Sequence, residues 1–243
     1  LAAAIAVLAM AALGFWVWRT GKKPEDKTPF EWTSASRATP AGRAKTAGDE
    51  RGGTIIAQAN QLLKEGKFSE AHALYREAAK LMPNDEDVHY NLGIALARLG
   101  ETNEAIAEYE KALEIFPRYA EVHNNLGNLL LRAGKGDQAI EHFRAAIKSL
   151  PDYASAHNNL GNALRIAGQT NEALTEFAKA AQLDTNYWEA RFNLANAYWS
   201  QKQLSQAAEE YRQVLKLKPD FTPAQKALGM VEQQLGQPSP RPQ

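Results

Sequence analysis

Three histidines, His89, His123 and His157, recur at intervals of 34 residues and are the first residues to suggest metal chemistry. A zinc-like ion needs its nitrogen ligands about 2.0–2.1 Å from a common centre. Equivalent positions on stacked helical units stand on the order of 10 Å apart, so the three read as packing histidines, not as ligands. The chain has no cysteine, which removes thiol nucleophiles, disulfides and Cys-ligated zinc or iron–sulfur centres. It has no HExxH, no GxSxG, no phosphate loop and no Rossmann glycine string. Glu108 and Glu110, and the pair Glu209-Glu210, read as solvated helix charges. No catalytic residue, metal or cofactor is expected.

Amides have more to offer. Asn91, Asn125, Asn159 and Asn193 keep the 34-residue interval, Asn128, Asn162 and Asn196 lie three residues further on, and Asn60 precedes them. An amide carries one acceptor and two donors, which suits the C=O and N–H groups of an extended peptide backbone. Asparagine is also a poorer helix former than Lys, Glu, Gln or Arg, so a face kept only for solvent has little reason to collect it. Two readings stand side by side: the amides hold a peptide, or they bond neighbouring helices in repeats copied from one asparagine-rich ancestor.

The elements that position these residues follow from the same interval. Pro83, Pro117, Pro151 and Pro219 fall in step, with Thr185 in the remaining slot. Leu92-Gly93, Leu126-Gly127, Leu160-Gly161 and Leu228-Gly229 do likewise, with Leu194-Ala195 between the last two. Ala71, Ala105, Ala139, Ala173 and Ala207 are each followed four residues later by Tyr75, Tyr109, Phe143, Phe177 and Tyr211. Gly66, Gly100, Gly134 and Gly168 would end a first helix in a left-handed turn. Ser69, Asn103, Asp137, Asn171 and Ser205 are N-cap types and would start a second. Lys202, Ala195 and Thr185 set the fifth unit slightly apart from the others.

Period and pattern together resemble the tetratricopeptide repeat, a helix–turn–helix unit. The resemblance implies an all-α, right-handed α-solenoid of five units, 52–85, 86–119, 120–153, 154–187 and 188–221. A capping helix over 222–236 and a tail over 237–243 complete it. Strings such as AHNNLGNAL (156–164) are similar to the repeats of the O-linked N-acetylglucosamine transferases, whose asparagine ladder holds peptide backbone. By that resemblance the binding residues are Asn91, Asn125, Asn159 and Asn193, with Asn128, Asn162 and Asn196 one turn along. Tyr90 and Phe192 offer apolar contacts, and Arg98, Arg132 and Arg165 could receive carboxylates. The transferases' catalytic half has no counterpart here.

Ahead of the repeats, residues 1–18 (LAAAIAVLAMAALGFWVW) carry no charge and are followed by Arg19, Lys22 and Lys23. A helix of that length spans roughly 27 Å, against ~30 Å for a bilayer core. A single transmembrane helix is expected there, in preference to a cleaved signal peptide, and residues 19–51 are expected to be a flexible linker. The side of the membrane holding the repeats stays open. The chain has 28 basic and 28 acidic residues. Zero net charge disfavours nucleic acid as a partner. The expected protein is a single-pass membrane-anchored scaffold whose partner is a protein or an extended peptide. The alternatives are the substrate-recruiting C-terminal part of a larger membrane enzyme and a structural oligomerisation module.

Overall fold

The computed structural model describes residues 47–236. Eleven α-helices and no strand occur among the described residues: α1 (Ala47–Lys64), α2 (Phe68–Leu81), α3 (Glu86–Leu99), α4 (Thr102–Ile115), α5 (Ala120–Arg132), α6 (Gly136–Ser149), α7 (Ala154–Ile166), α8 (Thr170–Leu183), α9 (Trp188–Ser200), α10 (Leu204–Leu217) and α11 (Thr222–Leu235). They form five antiparallel pairs, α1/α2 to α9/α10, with α11 packed on α10. Each second helix also packs on the first helix of the next pair, so the array is a solenoid held by nearest neighbours.

The turn inside each pair is set by backbone geometry. Gly66, Gly100, Gly134 and Gly168 adopt φ values of 75°, 87°, 77° and 79°, which glycine reaches without a Cβ clash. Lys202 takes the same place with φ 60°, where a side chain costs about 1–2 kcal/mol. The next residue, Lys67, Glu101, Lys135, Gln169 or Gln203, returns its N–H to the carbonyl of Leu62, Leu96, Leu130, Leu164 or Tyr198 at 2.9–3.0 Å. That six-to-one closure satisfies the end of the first helix.

It also moves the start of the second helix. Helices begin at Phe68, Thr102, Gly136, Thr170 and Leu204, so the expected caps Ser69, Asn103, Asp137, Asn171 and Ser205 are the second residues of their helices. The capping positions are the five closing residues, and none makes a side-chain cap bond. Asp85 does cap α3, its carboxylate accepting from the Val88 N–H at 3.0 Å.

The core follows the 34-residue register. Tyr75, Tyr109, Phe143, Phe177 and Tyr211 are all buried, as are the alanines one turn earlier. Removing each ring from water contributes about 1.5–3 kcal/mol. A Cβ on Gly93 would lie 2.6 Å from the Tyr109 ring, and on Gly127 or Gly161 it would lie 2.7 Å from Phe143 or Phe177. First and second helices therefore meet where no side chain fits. Gly229 occupies the same register in α11, yet a Cβ there meets nothing within 4 Å.

One part of the expected architecture is corrected. Among the described residues no helix is long and apolar enough to cross a membrane. The longest, α1, has 18 residues and carries Asp49, Glu50, Arg51 and Lys64. The others have 13 or 14 residues, roughly 20 Å at ~1.5 Å per residue. The all-α solenoid is present, whereas the membrane-spanning helix and the single-pass membrane location have no such element to carry them. Residues 1–18, to which the span was assigned, lie outside the described residues, as do residues 19–46 and 237–243. Helix α1 begins at Ala47, inside the stretch expected to be linker.

Candidate functional site

Successive first helices touch one another, α1 with α3, α5 with α7 and α7 with α9, whereas second helices make no contact of that extent. The first helices therefore lie nearer one another than the second helices do.

The structure divides these amides by what they bond. Asn193 donates to the Asn158 side-chain carbonyl at 2.9 Å, and Asn158 donates in turn to the Tyr187 hydroxyl at 3.3 Å. One repeat earlier, Asn159 donates to Asn124 at 2.9 Å, and Asn124 hydrogen-bonds Tyr153. Asn125 donates to the Tyr90 hydroxyl at 3.3 Å. Asn124 and Asn158 are buried. These amides join each first helix to its neighbour. Asn91 is also buried, and its Oδ1 has no hydrogen-bond partner among the described residues.

The second row behaves differently. The Tyr211 hydroxyl donates to Asn196 Oδ1 at 2.6 Å, and the Tyr75 hydroxyl donates to Asn60 Oδ1. Both pairs are 15 residues apart. At the same offset Asn128 faces the register of Phe143, and Asn162 that of Phe177. A phenylalanine has no hydroxyl to give. Asn128 and Asn162 are half-buried, and neither bonds another side chain among the described residues. In the second unit Ile94 replaces the amide, and Tyr109 pairs with Asn125 instead.

The remaining predicted residues are split between interior and surface. Tyr90 is buried against Tyr119, ring centroids 5.1 Å apart, and Phe192 is buried against Phe221 at 5.1 Å and Tyr211 at 5.8 Å. Arg98, Arg132 and Arg165 are exposed at or near the ends of α3, α5 and α7. Burial nevertheless lowers the Arg165 pKa.

A second ladder was not singled out from sequence. Tyr119, Tyr153, Tyr187 and Phe221 precede α5, α7, α9 and α11, each two residues after the period proline or threonine. The Tyr119 hydroxyl donates to Asp87 at 2.5 Å. Burial pushes the Tyr187 hydroxyl up to about 12, and Tyr153 also lies above the ordinary tyrosine range for the same reason. Their 34-residue spacing was available as a signal.

The histidines are packed, and the carboxylates read as solvated are not all free. His89 Nδ1 meets Glu108 Oε2 at 2.6 Å while its Nε2 donates to the Pro83 carbonyl at 3.0 Å. His157 repeats this with Glu176 at 2.6 Å and Pro151 at 2.9 Å. The Glu108 hydrogen bond raises the His89 pKa; at His157 burial pulls the value down, but the Glu176 and Pro151 bonds with the Glu176 charge together raise it. Arg191 fills the role in the fifth pair, reaching Glu210 at 3.1 Å and the Thr185 carbonyl at 3.1 Å. Glu108 and Glu210 are thus paired inside the helix stack.

Comparison with protein families gives two tetratricopeptide repeat models, one matching residues 62–124 and 164–231, the other residues 124–187. A comparison with curated proteins gives no match. Among solved structures, MamA from Desulfovibrio magneticus RS-1 (residues 41 to its end) is 24% identical, with 71% of this chain and 98% of that one covered and a TM-score of 0.64. YrrB, described as a TPR protein with an unusual peptide-binding site, is 22% identical over 76% of this chain and 98% of its own, TM-score 0.61. PilF of Pseudomonas aeruginosa is 20% identical over 78% and 92%, TM-score 0.68. At these identities the structures attest the fold.

Proposed function

Because the chain belongs to the tetratricopeptide repeat family, we propose that it is a protein-interaction scaffold that holds an extended segment of a partner along the inner face of its first helices. The observation that carries this reading is the pair of uncommitted amides, Asn128 and Asn162, in the two central units. Tyrosine occupies the partner position in the first and fifth units, and its replacement by Phe143 and Phe177 leaves the two amides without that side-chain partner. Asn159 and Asn193 each donate once within the protein, Asn125 bonds Tyr90 and Tyr109, and all three keep further hydrogen-bonding capacity. Arg132 and Arg165 would receive carboxylates of the bound segment. The peptide-binding site named for YrrB supports the same class of ligand.

The test uses peptides selected by display on the full chain, with affinity read by fluorescence anisotropy. Asn128→Ala with Asn162→Ala should weaken binding by about 0.5–1.5 kcal/mol for each lost bond and leave the melting temperature unchanged. Phe143→Tyr with Phe177→Tyr should weaken it too, by occupying both amides from within. If both double variants fold and bind as the parent does, the reading is wrong.

A further inference from the structure

The third helix pair departs from its neighbours at one contact. Where α3/α4, α7/α8 and α9/α10 set a cation against a carboxylate, α5/α6 set His123 against His142. The Nε2 of His123 makes the shared bond to a proline carbonyl, here Pro117 at 3.0 Å. A carbonyl only accepts, so Nε2 carries the proton and Nδ1 presents a lone pair. That lone pair faces His142 Nδ1 at 3.0 Å, with ring centroids 5.2 Å apart.

We propose that His123 and His142 form a two-histidine site for a divalent transition-metal ion such as Zn2+ or Ni2+, with solvent completing its coordination. Two nitrogens bound to one ion at about 2.0–2.1 Å and a near-tetrahedral angle stand roughly 3.3 Å apart, close to the separation already present. A ligating histidine characteristically donates its other ring N–H to a carbonyl or carboxylate, which fixes tautomer and ring orientation. His123 has that arrangement with Pro117. At His89 and His157 Nδ1 is held in a short bond to a glutamate and Nε2 in one to a proline carbonyl, so the ring carries protons on both nitrogens and presents no lone pair to an ion in those pairs. Both histidines of the third pair are half-buried and reach solvent. Burial holds both below the ordinary imidazole range, with His123 also lowering His142, so protons compete weakly for the ligands at neutral pH. Among the described residues no three His, Asp or Glu side chains gather as a metal group. The protein therefore supplies two ligands, and the ion links α5 to α6.

The test is titration of the full chain at pH 7.5 with Zn2+, Ni2+ or Mg2+, followed by calorimetry, histidine ring NMR and thermal melting. Zn2+ and Ni2+ should bind one per chain, shift the His123 and His142 resonances and raise the melting temperature, while Mg2+ does none of these. His142→Glu recreates the neighbouring pairs, so it should fold, and it should weaken binding by at least about tenfold. His72→Ala removes a half-buried histidine of α2 that lies outside the pair and should change nothing. Binding that survives His142→Glu, or an unshifted His123/His142 pair in the parent, overturns the site and leaves a proton-sharing contact only.

Discussion

The hydroxyls of Tyr75 and Tyr211 satisfy Asn60 and Asn196, and the rings of Phe143 and Phe177 fill the same register without doing so. One oxygen atom thus separates an amide bonded to its own helix pair from one that lacks that partner. The histidine position shows a comparable exchange with a consequence in pH. His123 and His142 are held below the ordinary value of 6.5 by burial, so the folded pair resists protonation that the unfolded chain accepts. Stability from that pair falls as pH drops below about 6.5. His89 and His157 are raised by Glu108 and Glu176, so their contribution is fully present below 6.5 and fades as pH rises through their folded values. His142→Glu converts the first kind into the second, with Glu141 the nearest other charge. Urea midpoints of the variant should therefore rise relative to the parent between pH 7.5 and pH 5.5. Midpoints that move in parallel would show that the pair carries no such linkage.

Between elements, the amide bonds run across intervals of 29 to 35 residues, from helix to helix and from helix to turn. Asn158 is the node where α7, α9 and Tyr187 meet, and it is 5% exposed. Asn158→Ala leaves Asn193 without its acceptor and Tyr187 with Ser155 as its remaining side-chain partner, and should cost about 1–3 kcal/mol in urea unfolding. Asn162→Ala, four residues on and unbonded, should cost far less, and equal losses would contradict the division of the amides. The helix pairs, the left-handed glycines and the buried aromatic register were legible in the sequence because each is a local or strictly periodic demand. The caps were misplaced because backbone closure replaced the side-chain bond that Ser69 or Asn103 would otherwise supply. Asn125, Asn159 and Asn193 share one position with Asn91 and nothing local distinguishes their partners. Those partners are set by how far each first helix is rotated toward the next, which only the assembled stack fixes.

At the scale of the molecule, zero net charge is a cancellation. Residues 1–51 hold eight basic and five acidic residues, leaving the repeats mildly acidic. The membrane expectation rested on the uncharged residues 1–18 and the bases Arg19, Lys22 and Lys23 after them, and none of the described helices is long and apolar enough to cross a membrane. Their array ends on α11, where Gly229 keeps the register that receives Tyr109, Phe143 and Phe177 at Gly93, Gly127 and Gly161 but has open space over it. The interface rule is therefore written into the chain once more than the described helices use it. In engineering terms the solenoid is extensible: a turn and a copy of residues 203–217 grafted after Gly236 should seat its tyrosine over Gly229 and add a nearest-neighbour interface. The melting temperature should rise by about 2–4 °C for each kcal/mol gained, and Gly229→Leu should abolish the gain. A graft that leaves melting unchanged would mean that the glycine alone does not specify the joint. If it succeeds, the span of the binding face becomes a quantity set by counting units, so the length of peptide gripped can be chosen in steps of one repeat.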